Sequence, residues 1–277
     1  MKSNLAEQCD VLVVIAHPDD EIFASGTICL CTEKGFKVTL VCTTDGEGGW
    51  DELYGASSAQ LGGIRRRELT LSASVLGVSD VVFLGFADVV NPADAGTRAW
   101  DQPKLIGELA RIVRGNAPKL ILTHGPLGGY GHPAHRLVHN SVTAAVRESS
   151  FSGSVFSFCA QVGRDFFSWH FDQPADVRVD ARSFLRRRAA SLSYHQSQID
   201  YFTKPHFPRT FRKYLSALFG LVFVSTVAGR KRVPIGTATR FFMRFPIEGL
   251  ARHGSPDADR HFFSEHFAND PRVQIDR

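Results

Sequence analysis

Two loops of this sequence carry the residue types of a catalytic metal site. In the first loop, His17 and Asp20 stand three positions apart, with Asp19 between them. The second loop, at 131–135, places two histidines at the same spacing. A catalytic zinc site takes three protein ligands of these types and leaves one position open for water. The sequence therefore predicts a metal-dependent hydrolytic site in which Asp19 is free to move protons.

Each loop follows an apolar run and precedes a helical pattern. Residues 11–15 lead directly into the first loop, and residues 120–122 lie shortly before the second. In a parallel sheet, both loops would leave the carboxyl edge of their strands, where open α/β sheets bind ligands. We therefore expect the two loops to converge on one ion.

Individual residues of these loops allow other interpretations. The acidic run 19–21 would also suit a helix N-terminus, where carboxylates complement the helix dipole. His139 competes with His135 as a ligand because residues four apart share a helix face. We favour His135, which lies in the first helical turn and nearer the strand edge. His124, just after the expected strand, is a further candidate.

The periodicity of apolar residues predicts the fold class. Strands are expected at 11–16, 37–42, 81–84, 119–122, 154–160 and 177–180. Helices are expected at 22–34, 64–76, 103–114, from 133 onward and at 183–195. This alternation predicts an α/β fold, a Rossmann-like parallel sheet with helices on both faces. We assign 1–200 to a catalytic α/β domain and 201–277 to a C-terminal extension of the same domain, onto which its Phe-rich end packs.

Composition argues against two classes of partner. The net charge of +4 is spread along the chain, and the arginine clusters are not interleaved with aromatic residues. We therefore expect no nucleic-acid binding. The glycines at 46–49 and 128–131 do not form the G-x-G-x-x-G pattern that opens a helix in dinucleotide-binding folds.

The cysteines and the N-terminal residues predict a compartment. The five cysteines are odd in number and form no C-x-x-C pair, which is typical of small core residues in a reducing environment. The first residues contain no apolar leader. We expect a cytoplasmic protein.

An apolar run at 215–228 is flanked by basic residues within 212–232. It is shorter than the roughly 20 apolar residues that span a bilayer. We favour a buried core element, and the alternative is peripheral contact of residues 212–232 with an anionic membrane surface.

The two loops together resemble a known family. A-H-P-D-D-E at 16–21 with G-H-P-A-H at 131–135 is similar to the LmbE-like (PIG-L) family of zinc-dependent N-acetylglucosaminyl deacetylases. Shorter matches follow in the same order and extend the resemblance over residues 10 to 200: Thr44–Gly49, Leu61–Leu69, Gly85–Asp88 and His195–Gln198.

The resemblance implies specific roles for the first set of residues. His17, Asp20 and His135 would bind Zn²⁺, and Asp19 would be the general base. The same ligand types would also accept iron(II) or cobalt, because geometry and availability decide metal selectivity.

The resemblance also implies roles around the metal. His132 would face the developing oxyanion or the leaving amine, and Tyr130 would be a mobile partner of the substrate carbonyl. Arg65 and Asp88 would contact the sugar conjugate. Ala134 departs from the family, which usually has Asp there, so the protonation state of His132 is expected to differ.

We therefore expect a hydrolase that removes an N-acetyl group from an amino-sugar conjugate. The alternatives are a metal-dependent amidase acting on a different amide, a deacetylase of a lipid-linked amino sugar at a membrane surface, and a non-catalytic binding protein. The oligomeric state does not follow from the sequence.

Overall fold

The computed structural model describes most of the chain. The described residues are 8–49, 57–88, 100–129, 131–162, 173–198, 238–239, 242–243, 246–253 and 261–276. Tyr130 and the segment 212–232 lie outside them. Among the residues that the structure does describe, none of the helices has the length and hydropathy that crossing a bilayer requires.

The described residues form one sheet flanked by helices. Its strands are β1 Val11–Ile15, β2 Val38–Thr44, β3 Asp80–Phe86, β4 Leu120–Thr123, β5 Ser154–Ser157, β6 Val177–Asp180, β7 Ile247–His253 and β8 Val273–Ile275. Its helices are α1 Ser25–Glu33, α2 Ser58–Leu76, α3 Gln102–Asn116, α4 Pro133–Glu148, α5 Leu185–Leu192 and α6 Phe262–His266. Short 3-10 helices at Asp20–Ala24 and Arg182–Phe184 lead into α1 and α5.

The strand order is β3-β2-β1-β4-β5-β7-β6-β8. The pairings from β3 to β5 are parallel, and the α/β prediction is confirmed for this half of the sheet. The pairings of β7 with β5 and β6, and of β6 with β8, are antiparallel. Strands from beyond residue 200 therefore lie in the same sheet as the first strands.

The continuous apolar sequence of β1 is explained by burial on both faces. Val11, Val13 and Ile15 belong to one apolar cluster together with residues of α1 and α2. Leu12 and Val14 belong to a second cluster with residues of α3 and α4. Because successive side chains of a strand point to opposite faces, a strand covered by helices on both sides must be apolar throughout.

The C-terminal part of the chain stabilises the start of α1. Glu248 of β7 accepts the backbone N–H groups of Gly26 and Thr27 at 2.7 and 2.8 Å. Its carboxylate also pairs with Arg188 of α5 at 3.0 Å. The first N–H groups of a helix have no partner within the helix, so this buried carboxylate takes the place of a local cap.

The point at which strand order reverses lies between β1 and β4. The chain passes from β1 to β2 on one side, whereas β4 pairs with β1 on the other, with Val11 opposite Leu120 and Val13 opposite Leu122. The loops that follow β1 and β4 therefore leave the sheet side by side. This crevice is where open α/β sheets bind ligands.

Candidate active site

The loop after β1 folds back on itself around Asp20. Oδ2 of Asp20 accepts the backbone N–H of His17 at 2.8 Å, which closes a tight turn before the 3-10 helix Asp20–Ala24 begins. Asp19 lies at the apex with φ of 129° and ψ of −16°. Such a conformation is rare for a residue with a side chain. It turns two neighbouring carboxylates in different directions.

Asp20 is the meeting point of three histidines. Its Oδ1 lies 3.1 Å from Nε2 of His135, and its Oδ2 lies 3.3 Å from Nδ1 of His17 and 3.4 Å from Nε2 of His124. All four side chains are buried. The structure therefore brings together His17, Asp20 and His135: each histidine contacts the Asp20 carboxylate, and the two imidazole rings lie with centroids 5.4 Å apart.

These donors fit a divalent transition metal. Within the described residues, two groups of three side chains bring one ligand atom each to within 4.8 Å of one another: His17, His132 and His135, and Asp20, His124 and His135. Imidazole nitrogens and a carboxylate oxygen are ligands that zinc accepts. His135 belongs to both groups, whereas the predicted combination of His17, Asp20 and His135 takes members from each.

The electrostatics of the cluster favour a cation. Burial pushes the pKa of Asp20 up, but His135 and His124 outweigh it and hold the pKa well below its usual range. Burial pushes the pKa of His17 down, but Asp20 and Asp88 outweigh it and raise the pKa to about 10. Asp20 therefore remains ionised and His17 protonated, and a metal ion bound here would take the place of the proton on His17.

His124 is tied to the protein backbone rather than open to a ligand. Its Nε2 accepts the N–H of Ala16 at 3.0 Å, and its ring stacks on that of His135 with centroids 3.9 Å apart. Burial and the neighbouring His135 lower the pKa of His124 to about 3, so the ring is neutral. A neutral imidazole has a single nitrogen lone pair, and here the Ala16 hydrogen bond uses it.

Asp19 faces Arg65 rather than the histidines. Nη2 of Arg65 donates to Oδ2 of Asp19 at 3.1 Å and to the carbonyl of Pro18 at 2.7 Å, and Nη1 donates to the carbonyl of Gly46 at 2.8 Å. Burial raises the pKa of Asp19 to about 7 despite the nearby guanidinium. A carboxyl that titrates near neutral pH is suited to accept and return a proton.

A glycine-rich loop makes room for this arginine. A Cβ on Gly46 would lie 2.6 Å from the guanidinium carbon of Arg65, and a Cβ on Gly49 would lie 2.3 Å from its Nη1. Gly46 also has φ of +72°, which disfavours other residues. Gly46 and Gly49 therefore make room for Arg65, which is 3% exposed.

Asp88 lies on the other side of His17. Its Oδ1 is 3.5 Å from Nε2 of His17, and its Oδ2 accepts the N–H of Gly48 at 3.2 Å. Burial pushes the pKa of Asp88 up, but His17 outweighs it and lowers the pKa. Asp88 thus contacts a predicted metal ligand.

His132 stands at the start of α4, within reach of the cluster. Its ring meets that of His17 edge-on, with centroids 4.9 Å apart. Burial and His17 lower the pKa of His132 to about 3. His139, the competitor of His135, instead approaches the carbonyl of His124 with Nδ1 at 2.8 Å and packs against His253.

Comparison with known proteins places this site in a family. Residues 12–146 match the PIG-L family, which is described as GlcNAc-PI de-N-acetylase. The 1D-myo-inositol 2-acetamido-2-deoxy-alpha-D-glucopyranoside deacetylase of Acidothermus cellulolyticus is 35% identical over 233 residues, which cover 68% of this chain and 79% of that protein. The chain belongs to the PIG-L family.

Two solved structures share the fold of this PIG-L protein. The N,N'-diacetylchitobiose deacetylase of Pyrococcus horikoshii has a TM-score of 0.59 at 20% identity and covers 88% of this chain and 84% of its own. The 4-carboxy-2-hydroxymuconate hydratase of Pseudomonas putida has a TM-score of 0.60 at 20% identity, and the match covers 91% of this chain and 99% of the hydratase chain. At such identities the likeness concerns the fold alone.

The sequence reasoning missed one set of buried contacts in this PIG-L protein. Glu21 and His195 form an ion pair with 2.6 Å between Oε1 and Nε2, and both residues are fully buried. Ser197 donates its N–H and its hydroxyl to Glu68 of α2 at 2.8 and 2.6 Å. The His195–Gln198 match to the family was the available signal, although nothing in the sequence names its partners.

Proposed function

We propose that this PIG-L protein is a zinc-dependent N-deacetylase that removes the acetyl group from an N-acetylglucosaminyl-type conjugate. The observation that carries the proposal is the cluster of Asp20 with His17 and His135, beside a second carboxylate, Asp19, on the same loop. The name of the Acidothermus relative supports the substrate class.

His17, Asp20 and His135 would hold the zinc ion. His124 is less suited because its lone pair is used by Ala16. A bound zinc ion supplies a Lewis acid that polarises an amide carbonyl and lowers the pKa of water. The family relationship supports a metal, and the choice of zinc belongs to the proposal.

Asp19 would act as the general base. As water attacks the acetamide carbon, Asp19 takes one proton from it. When the C–N bond breaks, Asp19 returns that proton to the departing nitrogen. The products are the amine and acetic acid, which carries the second proton of the water and ionises to acetate by releasing it to solvent. Arg65 fixes one oxygen of Asp19 through a hydrogen bond of 3.1 Å, which holds the carboxylate in one orientation.

His132 would stabilise the negative charge that develops on the carbonyl oxygen. Because its pKa is about 3, the ring is neutral and offers one N–H donor. Tyr130 would be a second donor to this oxygen. Ala134 packs in the apolar cluster of α3 and α4, so no carboxylate at that position raises the pKa of His132. Arg65 and Asp88 would border the sugar.

The test combines metal analysis with an acetate-release assay on soluble and lipid-linked N-acetylglucosaminyl compounds and on other acylated amines. We expect about one zinc per chain and turnover of a glucosaminyl substrate. Asp19→Asn should keep zinc and lose about 100-fold or more in kcat, whereas His17→Ala should lose both. Normal turnover by Asp19→Asn would exclude Asp19 as the base. Hydrolysis confined to other amides would exclude the amino-sugar substrate.

A further inference from the structure

Glu21 connects the proposed base to the interior of the protein. Its Oε2 accepts the backbone N–H of Asp19 at 3.1 Å. Its Oε1 accepts from the Ser72 hydroxyl of α2 at 2.6 Å and contacts Nε2 of His195 at 2.6 Å. Oε1 of Glu21 therefore contacts buried side chains of other elements, and Oε2 contacts the backbone of Asp19.

The backbone of Asp19 needs such support. With φ of 129° it occupies a region that residues with a side chain rarely adopt. Conformations of this kind are strained and persist only where surrounding contacts enforce them. Arg65 donates a hydrogen bond to the Asp19 side chain, and Glu21 accepts one from the Asp19 backbone N–H.

The partners of Glu21 fix its side chain in turn. Ser72 and His195 are fully buried, as is Glu21 itself. The Ser72 hydroxyl also lies 2.6 Å from that of Ser191 in α5. Two contacts to Oε1, from α2 and from the turn after α5, leave little freedom for Oε2. A buried carboxylate is costly unless it is satisfied in this way.

We propose that Glu21, held by His195 and Ser72, is a positioning residue that keeps Asp19 in its productive backbone conformation. This inference rests on the proposed function, in which Asp19 moves the proton. Among the described residues, neither Glu21 nor His195 belongs to a group able to hold a metal. The expected effect is therefore on proton transfer and not on metal binding.

Two substitutions separate the hydrogen bond from the charge. Glu21→Ala removes the carboxylate oxygen that accepts the Asp19 N–H, so this hydrogen bond is lost. Glu21→Gln keeps an amide oxygen for the Asp19 N–H, and its NH₂ group can donate to Nε2 of a neutral His195. Nδ1 of His195, which has no hydrogen-bond partner among the residues that the structure describes, can then carry the ring proton.

A double-mutant cycle with Asp19→Asn provides the decisive readout. We expect Glu21→Ala to lower kcat about 10–100-fold in the native background, since small misplacements of a catalytic group have such effects. KM and zinc content should stay close to native, and Glu21→Gln should restore most of the rate. In the Asp19→Asn background, Glu21→Ala should change the residual rate by less than about threefold.

Glu248→Ala is the matched control. It removes another buried carboxylate that binds backbone N–H groups and a buried basic side chain, but these belong to α1 and α5. We expect it to lower the melting temperature and leave kcat near native at a temperature where the protein is folded. Amide exchange supplies a readout apart from activity, because Glu21→Ala should lose protection of the Asp19 amide and Glu21→Gln should keep it.

The outcomes distinguish the two claims. A native rate for Asp19→Asn would overturn the proposed function, whatever Glu21 does. An Asp19→Asn variant with a strongly reduced but measurable rate, combined with an equal loss from Glu21→Ala in both backgrounds, would overturn the positioning role alone. If Glu21→Ala does not fold, His195→Phe carries the same cycle. His195→Phe removes one of the two contacts to Oε1 of Glu21. We expect it to lower kcat less than Glu21→Ala does, and to do so in the native background but not in the Asp19→Asn background.

Discussion

His124 and Ala16 are joined by a hydrogen bond of 3.0 Å between residues 108 positions apart in the sequence. The bond continues the pairing of β1 with β4 beyond the last strand residues and brings the two loops together. It also occupies the lone pair of His124, which distinguishes this histidine from His17 and His135.

Substitution of His124 tests this distinction. Gln can place its side-chain oxygen near the position of Nε2, so His124→Gln should still accept the Ala16 N–H and should bind zinc to the same stoichiometry as the native chain. His135→Ala should lose zinc. Elemental analysis after gel filtration measures both variants, and loss of zinc in His124→Gln would show that His124 is a ligand.

Arg65→Lys tests whether Arg65 positions Asp19 or binds the substrate. A lysine cannot donate to the carbonyls of Pro18 and Gly46 and to Asp19 in the fork geometry of a guanidinium. We expect kcat to fall about 10–100-fold with KM within about threefold of native, because the loss concerns geometry. Steady-state kinetics on the substrate from the acetate-release screen measure both constants.

Arg66→Lys is the control for Arg65→Lys. The Arg66 guanidinium pairs with Asp45 at 2.8 Å, and the Arg66 side chain is 45% exposed. Exposed pairs contribute little, so near-native kinetics are expected. A large rise of KM in Arg65→Lys at unchanged kcat would instead support the substrate contact that the family resemblance implies.

His253 makes stability depend on pH. Burial and the neighbouring His139 lower the pKa of His253 from 6.5 to about 4 in the folded protein. Between these two pH values the unfolded chain binds a proton that the folded chain does not, so His253 favours unfolding as the pH falls from 6.5 toward 4. Above pH 6.5 the ring is neutral in both states and His253 does not lower the stability of the fold. Below about pH 4 the ring is protonated in both states, so the destabilisation grows no further.

His253→Asn should remove this part of the pH dependence. Urea unfolding at several pH values would show a shallower loss of stability between pH 6.5 and 4 in the variant than in the native protein. Parallel curves for the two proteins would contradict the assignment. The variant also loses the contact of Nε2 with the Ser157 hydroxyl at 2.8 Å, so its stability is expected to be lower than native above pH 6.5.

The sequence predicted the parallel half of the sheet because its strands are continuously apolar. Helix starts were less predictable. α2 begins at Ser58 instead of 64, since Ser57 and Gln60 form a capping box that the following glycines obscured. The strand Ile247–His253 was not predicted because it contains Glu248 and a glycine, and Glu248 serves as the distant cap of α1.

The packing of the Phe-rich C-terminal end was predicted and is confirmed. Phe262, Phe263 and Phe267 are buried in the cluster that covers one face of the sheet. In the site, the meeting of His17, Asp20 and His135 was predictable from spacing and strand ends. The bond of His124 to Ala16 and the pair of Glu21 with His195 depend on residues more than 100 positions apart. The order of apolar and polar residues within one loop or helix does not predict contacts between residues so far apart in the sequence.

The central claim is that His17, Asp20 and His135 bind one metal ion. Anomalous diffraction at the zinc edge from crystals of the zinc-loaded protein measures this directly. We expect a single strong peak at about 2.0–2.2 Å from an imidazole nitrogen of each histidine and from an Asp20 oxygen. A peak bound by His124 in place of His17, or none within this cluster, would contradict the account.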